Sequence, residues 1–225
     1  MKLQNVTVAY GNKAVLRDIS LDFPKGDFAF LIGGSGSGKT TLIKTLIAEM
    51  RPKSGTVTDG SGQIVSNLSG KELAKFRRNV GVVFQDYKLL PSKTVRENVA
   101  FAMEVCGYPD SKILARVPEV LSQVGILTKK EAFIDTLSGG EAQRVAVARA
   151  LIHDPDVIIG DEPTGNLDPE NALEIMKIFE RLSESGKTVI IATHDDKIVN
   201  RMKKRVVALR DGRVVSDARS AGYSL

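Results

Sequence analysis

The sequence predicts an α/β fold: a mixed, largely parallel sheet with an N-terminal antiparallel β subdomain and an inserted α-helical subdomain. Three observations point to it. Short strands fill the opening and end in a glycine-rich loop, the middle carries helix caps, and strand and helix alternate towards the end. The pattern describes one domain, with a core of about residues 1–85 and 155–225 and a helical subdomain of about 86–154.

The elements follow in order. Alternation in Gln4, Val6, Val8 and Tyr10, and again in Ile19, Leu21 and Phe23, predicts two half-buried strands. After the turn at Pro24-Lys25-Gly26, the run Phe28–Ile32 reads as a buried strand. Leu42, Ile43, Leu46, Ile47 and Met50 give a helical apolar face, stopped by Arg51-Pro52-Lys53-Ser54-Gly55. From about residue 69 to about 154 the chain reads as mostly helical, with capping boxes at Ser69/Glu72 and Thr94/Glu97, a stop at Gly107-Tyr108-Pro109, and a break or kink at Pro118. Strands return at Val157–Ile159 and Thr188–Ala192. The helix between them starts at Asp168-Pro169 and ends near Ser185-Gly186, which is a βαβ spacing and implies parallel pairing. A hairpin is expected around Asp211-Gly212.

Composition removes several classes. With 225 residues, 42% hydrophobic and 26% charged, the chain is long enough to bury a core and too apolar for disorder. No uncharged apolar run approaches the ~18–20 residues of a bilayer span, and the start lacks a signal-peptide core, so a cytoplasmic protein is expected. Cys106 is alone, which excludes an internal disulfide. A net charge of +5 on a mixed surface does not point to nucleic acid, and none is expected as a partner.

Three segments carry chemistry. Gly33-Gly34-Ser35-Gly36-Ser37-Gly38-Lys39-Thr40 fits G-x-x-x-x-G-K-[ST] between a strand and a helix, with Thr41 following. Its glycines let backbone N–H groups curl round phosphates, Lys39 reaches the terminal phosphates, and the Thr40 hydroxyl can ligate Mg²⁺. Asp161 and Glu162 end an apolar strand. Asp161 would hold Mg²⁺, and Glu162, pointing elsewhere, could polarise the water that attacks the γ-phosphate. Ser138-Gly139-Gly140-Glu141 precedes the helical spacing Val145, Ala148 and Ile152, which makes a second anion site at a helix start.

Leu137-Ser138-Gly139-Gly140-Glu141 resembles the signature of the ABC ATPases, and the other diagnostic segments follow in the family's order along nearly the whole chain. The resemblance implies a P-loop NTPase core and an ATPase using ATP and Mg²⁺. It makes Tyr10 the aromatic that stacks on adenine, Gln85 a contact to metal and water, Asp168 the end of the D-loop and His194 the switch histidine. It also implies a head-to-tail homodimer closing around two ATP molecules, each signature capping phosphates held by the other chain. Gly34, Ala142 and Gly160 depart from the residues common in the family at those places, and all three are small.

Within the family, Phe84–Phe101 is similar to the FtsE-type cell-division ATP-binding proteins, as are Arg116–Leu121 and Asp161–Asp168. That implies a site on the inner face of the cell membrane, an FtsX-like integral membrane partner and control of cell-wall hydrolases. ATPases of lipoprotein-releasing and macrolide-export transporters share Pro163–Asp168 and remain the alternative. Tyr87–Pro91 is where the family's membrane partner docks, although ordinary packing also accounts for Leu89 and Leu90. The basic clusters Lys75–Arg78 and Arg201–Arg205 suit either anionic lipid or solvated helix faces. ABC ATPases of translation and repair usually add a second ATPase domain or long coiled coils, and a P-loop kinase has no need of a second glycine-rich helix start.

Overall fold

The structure, a computed structural model, describes residues 1–223. The chain opens with β1 (Lys2–Tyr10), β2 (Lys13–Asp22) and β3 (Phe28–Ile32), then α1 (Lys39–Leu46) and β4 (Ser54–Thr58). Next come α2 (Gly70–Arg78), β5 (Val80–Phe84), α3 (Val95–Glu104), α4 (Asp110–Gln123) and α5 (Gly139–Leu151). β6 (Val157–Asp161), α6 (Pro169–Glu184), β7 (Thr188–Ala192), α7 (Asp196–Met202), β8 (Arg205–Arg210) and β9 (Arg213–Ala218) complete it.

The central sheet has the order β5-β6-β7-β3-β8-β9, parallel except for β9. An antiparallel sheet, β2-β1-β4, lies beside it. Strand alternation divides the interior in two. Phe28, Phe30 and Ile32 face a core shared with α3 to α7, while Ala29 and Leu31 face a second core containing α1 and the small sheet. Ile158, Val189, Ile191 and Val206 repeat the first assignment, and Ile159, Ile190 and Val207 the second, so the sheet is buried on both faces.

Four sequence expectations need correction. α1 stops at Leu46 instead of continuing to Met50, because Ala48 turns left-handed (φ 53°) and the N–H groups of Glu49 and Met50 both fold back to the Lys44 carbonyl. The mostly helical middle contains the strand β5, whose Gly81 lets α5 approach: a Cβ there would lie 2.5 Å from the Ala150 carbonyl oxygen. Ser69 makes no side-chain cap, since Gly70 at the first helical position has φ 51° and turns the opening away from capping geometry. Thr94 and Glu97 do form the reciprocal box. Pro118 does not break α4. It removes one N–H, while Ile113, Val117, Val120 and Leu121 anchor both sides of it in the core.

Candidate functional site

The strand order places the site. β5, β6, β7 and β3 are adjacent and parallel, so their C-terminal ends share one edge. From that edge continue Gln85 after β5, Asp161 and Glu162 at β6, Thr193 and His194 after β7, and Gly33–Thr40 after β3.

The glycine-rich loop runs into the start of α1 and, with Val15, lines a cleft of about 160 Å³. The Lys39 ammonium donates to the Gly33 carbonyl at 2.6 Å and to that of Gly34 at 3.4 Å. Ser37 is buried, and its Oγ has no partner among the described residues. Val15 comes from β2 and carries no sequence signal for the role.

Asp161 is half-buried at the end of β6. Burial pushes the Asp161 carboxyl above its usual range, reinforced by the Glu162 charge and offset in part by Thr40, Lys39 and Lys44. Its folded pKa therefore exceeds its unfolded one, and the ionised form costs stability at neutral pH. That cost fades as pH falls through the folded pKa and is gone below the ordinary value of 3.8. Asp161→Asn is expected to raise the melting temperature at neutral pH and to lose this advantage on acidification, checked by thermal denaturation across pH.

Glu162 stands in a left-handed backbone (φ 51°), held by its N–H on the Ala192 carbonyl and by the Gly165 N–H on its own carbonyl. This reversal turns its side chain away from Asp161 to His194. Nδ1 of His194 lies 2.8 Å from one carboxylate oxygen, and the His194 N–H donates to the other at 3.3 Å. Gly160 has a reason to lack a side chain, since a Cβ would sit 2.8 Å from the Pro163 ring and 2.9 Å from Ile191.

Gln85 Nε2 donates to Asn166 Oδ1 at 3.2 Å, and Asn166 Nδ2 returns to the Gln85 carbonyl at 3.1 Å. Nothing in local spacing reveals this pair. Asp168 caps α6, accepting from the N–H groups of Glu170 and Asn171. Hydrogen bonding from Asn171, foremost from its side chain, holds the Asp168 carboxyl below its usual range. Tyr10 ends β1 opposite Lys13 and is 52% exposed.

The signature packs against the Asn166–Asn171 segment. Ser138 caps α5 in a reciprocal box with Glu141. The Glu141 carboxyl is held down first by the Lys129 ammonium and then by the Ser138 N–H. A Cβ on Gly139 would lie 3.1 Å from the Tyr87 hydroxyl, and one on Gly140 2.6 Å from Asn171 Oδ1. Among the described residues, no hydrogen bond or ion pair joins Ser138–Glu141 to the phosphate loop.

A family model described as ABC transporter matches residues 16–165. The chain is 46% identical over 224 residues to the cell division ATP-binding protein FtsE of Streptococcus pneumoniae, covering 99% of this chain and 97% of that one. Against FtsE of Mycobacterium tuberculosis it is 48% identical over 225 residues, with the same coverage of each. It is also similar to the solved dimeric post-hydrolysis state of the ATP-binding cassette MJ0796 bound to ADP and Pi, with a TM-score of 0.85 and 33% identity over 99% of both chains.

Proposed function

The chain belongs to the ABC transporter ATPase family, and from that premise we propose that it is the ATP-binding and hydrolysing subunit of an FtsEX-type cell-division complex. ATP closes a homodimer, and the movement passes to an FtsX-like membrane partner that regulates cell-wall hydrolases. Near-complete mutual coverage with two cell-division ATP-binding proteins supports the role, and the dimeric ADP-bound cassette supports closure around nucleotide. No helix among the described residues is long and apolar enough to cross a membrane, and the chain works from the inner face through its partner.

The observation that carries the chemistry is the convergence of the Gly33–Thr40 loop, Asp161 and the Glu162–His194 pair at one sheet edge. Lys39 exchanges the loop carbonyls for the β- and γ-phosphates, while the loop N–H groups from Gly33 to Thr41 cradle the triphosphate and Tyr10 stacks on the base. A hydroxyl and a half-buried carboxylate are a fitting donor set for a hard cation, so Thr40 and Asp161, joined by Gln85, would hold Mg²⁺. When bound, Mg²⁺ offsets phosphate charge.

Glu162 takes a proton from water as the water oxygen bonds to the γ-phosphorus; the bond to the bridging oxygen breaks, and ADP leaves. His194 orients Glu162 through Nδ1 and has Nε2 left for a γ-phosphate oxygen. The similar dimeric cassette supports a site completed by a second copy, with Ser138, Gly139, Gly140 and Glu141 capping the triphosphate held by the other chain. Asp168 fixes the start of α6 beside that interface.

Affinity capture of the tagged chain from detergent-solubilised native membranes tests the assignment. A small FtsX-like permease is the expected companion. A lipoprotein-release or drug-export permease in its place would overturn the division role and leave the ATP chemistry standing.

A further inference from the structure

Tyr87 and Lys88, just past Gln85, are consecutive non-glycine residues in the left-handed region, with φ of 55° and 52°. A side chain disfavours this backbone at one position and more so at two in succession. What holds it comes from the far half of α5. Arg149 Nη2 donates to the Tyr87 carbonyl at 2.7 Å, and Nη1 donates to the Lys88 carbonyl. One planar fork thus takes both carbonyls, a match that a lysine cannot reproduce.

Arg149 has no carboxylate partner among the described residues, and burial pushes its pKa down. A half-buried guanidinium without a counter-ion carries a desolvation cost, and the two carbonyls are its hydrogen-bond acceptors. The same Tyr87 reaches the other end of α5 with its hydroxyl, 3.1 Å from where a Gly139 Cβ would stand. Tyr87 is therefore gripped at its backbone by the end of α5 and packed by its ring tip against the start, where the signature lies.

We infer that Arg149 is a positioning residue for hydrolysis, holding the Gln85–Lys88 segment in its left-handed turn so that Gln85 and the signature helix keep a fixed relation. The inference rests on the reading of the Gln85 segment as part of the hydrolytic site. Without the fork, Tyr87 and Lys88 relax towards right-handed backbone and carry Gln85 with them. Nucleotide affinity, set by the phosphate loop, is untouched.

The test measures kcat and KM for ATP, with melting temperature, on the full chain carrying whatever partner it brings from its native membranes. Arg149→Ala is expected to lower kcat about tenfold with KM within about twofold. Adding Lys88→Gly, which adopts the left-handed turn at no steric cost, should recover about threefold of the loss. Arg149→Lys keeps the charge without the fork and should fall between, again improved by Lys88→Gly; this pair decides the matter if Arg149→Ala does not fold. Wild-type kcat in Arg149→Ala overturns the inference, and so does a loss that Lys88→Gly leaves uncorrected. Gln85→Ala is measured alongside: if it is silent, the role of Gln85 fails, while the Arg149 and Lys88 results still decide the clamp.

Discussion

Glu162→Gln should bind ATP within about twofold of the wild type while losing about 10²–10⁴ of its steady-state hydrolysis. The substitution keeps shape and size, and the turn that presents residue 162 is held by backbone groups, the N–H on Ala192 and the carbonyl under Gly165, which glutamine retains. What disappears is an acceptor for the water proton. One carboxylate oxygen also becomes an NH₂ group, which cannot accept a hydrogen bond, so the two-point pairing with the backbone N–H and ring of His194 is altered. Because ATP remains intact between two chains, the closed dimer should accumulate, seen as an ATP-dependent shift from monomer to dimer by size-exclusion chromatography. Normal turnover in this variant would remove Glu162 from the role of base.

Much of this was legible in the sequence, and what was not shares a physical cause. Strands buried on both faces announce themselves as apolar runs, as in Phe28–Ile32 and Thr188–Ala192. Helices with local caps do so as well, because Asp168 and Thr94 bond to N–H groups within three residues. The phosphate loop and the two acids are local too, each set by one strand end. β4, spelled Ser-Gly-Thr-Val-Thr, is too short and polar to show, and β5 is an apolar run that a helical neighbourhood hides until its partner β6 is known. Links between segments distant in the chain are invisible to periodicity: Gln85 to Asn166 spans 81 residues, and Arg149 to Tyr87 spans 62. Sequence patterns located the chemical groups, whereas the contacts that orient them are tertiary.

Gly212 is the sharpest case, and its replacement by alanine is expected to destabilise the fold by about 3 kcal/mol or more, a fall in melting temperature of roughly 6–12 °C. In sequence it is the second half of a hairpin turn, and indeed Asp211 and Gly212 are both left-handed, with φ of 49° and 74°, as such turns require. The structure gives the position a second duty. Its N–H donates to the Ser37 carbonyl in the phosphate loop at 3.1 Å, and its carbonyl accepts from the Arg17 N–H on β2 at 2.8 Å. A Cβ there would stand 2.1 Å from the Val15 carbonyl oxygen and 2.9 Å from its carbon. Every atom it meets is backbone, so no rotamer relieves the clash, and either the hairpin tip or β2 must move. Since Val15 lines the phosphate cleft and Ser37 belongs to its loop, weaker ATP binding should accompany the lower stability, read by nucleotide titration beside thermal denaturation. Asp211→Gly, at a neighbouring left-handed position, separates turn conformation from close approach. If that change is nearly silent while Gly212→Ala is not, the contact with β2 decides the outcome; equal, small effects would mean that the hairpin tip does not support the phosphate loop.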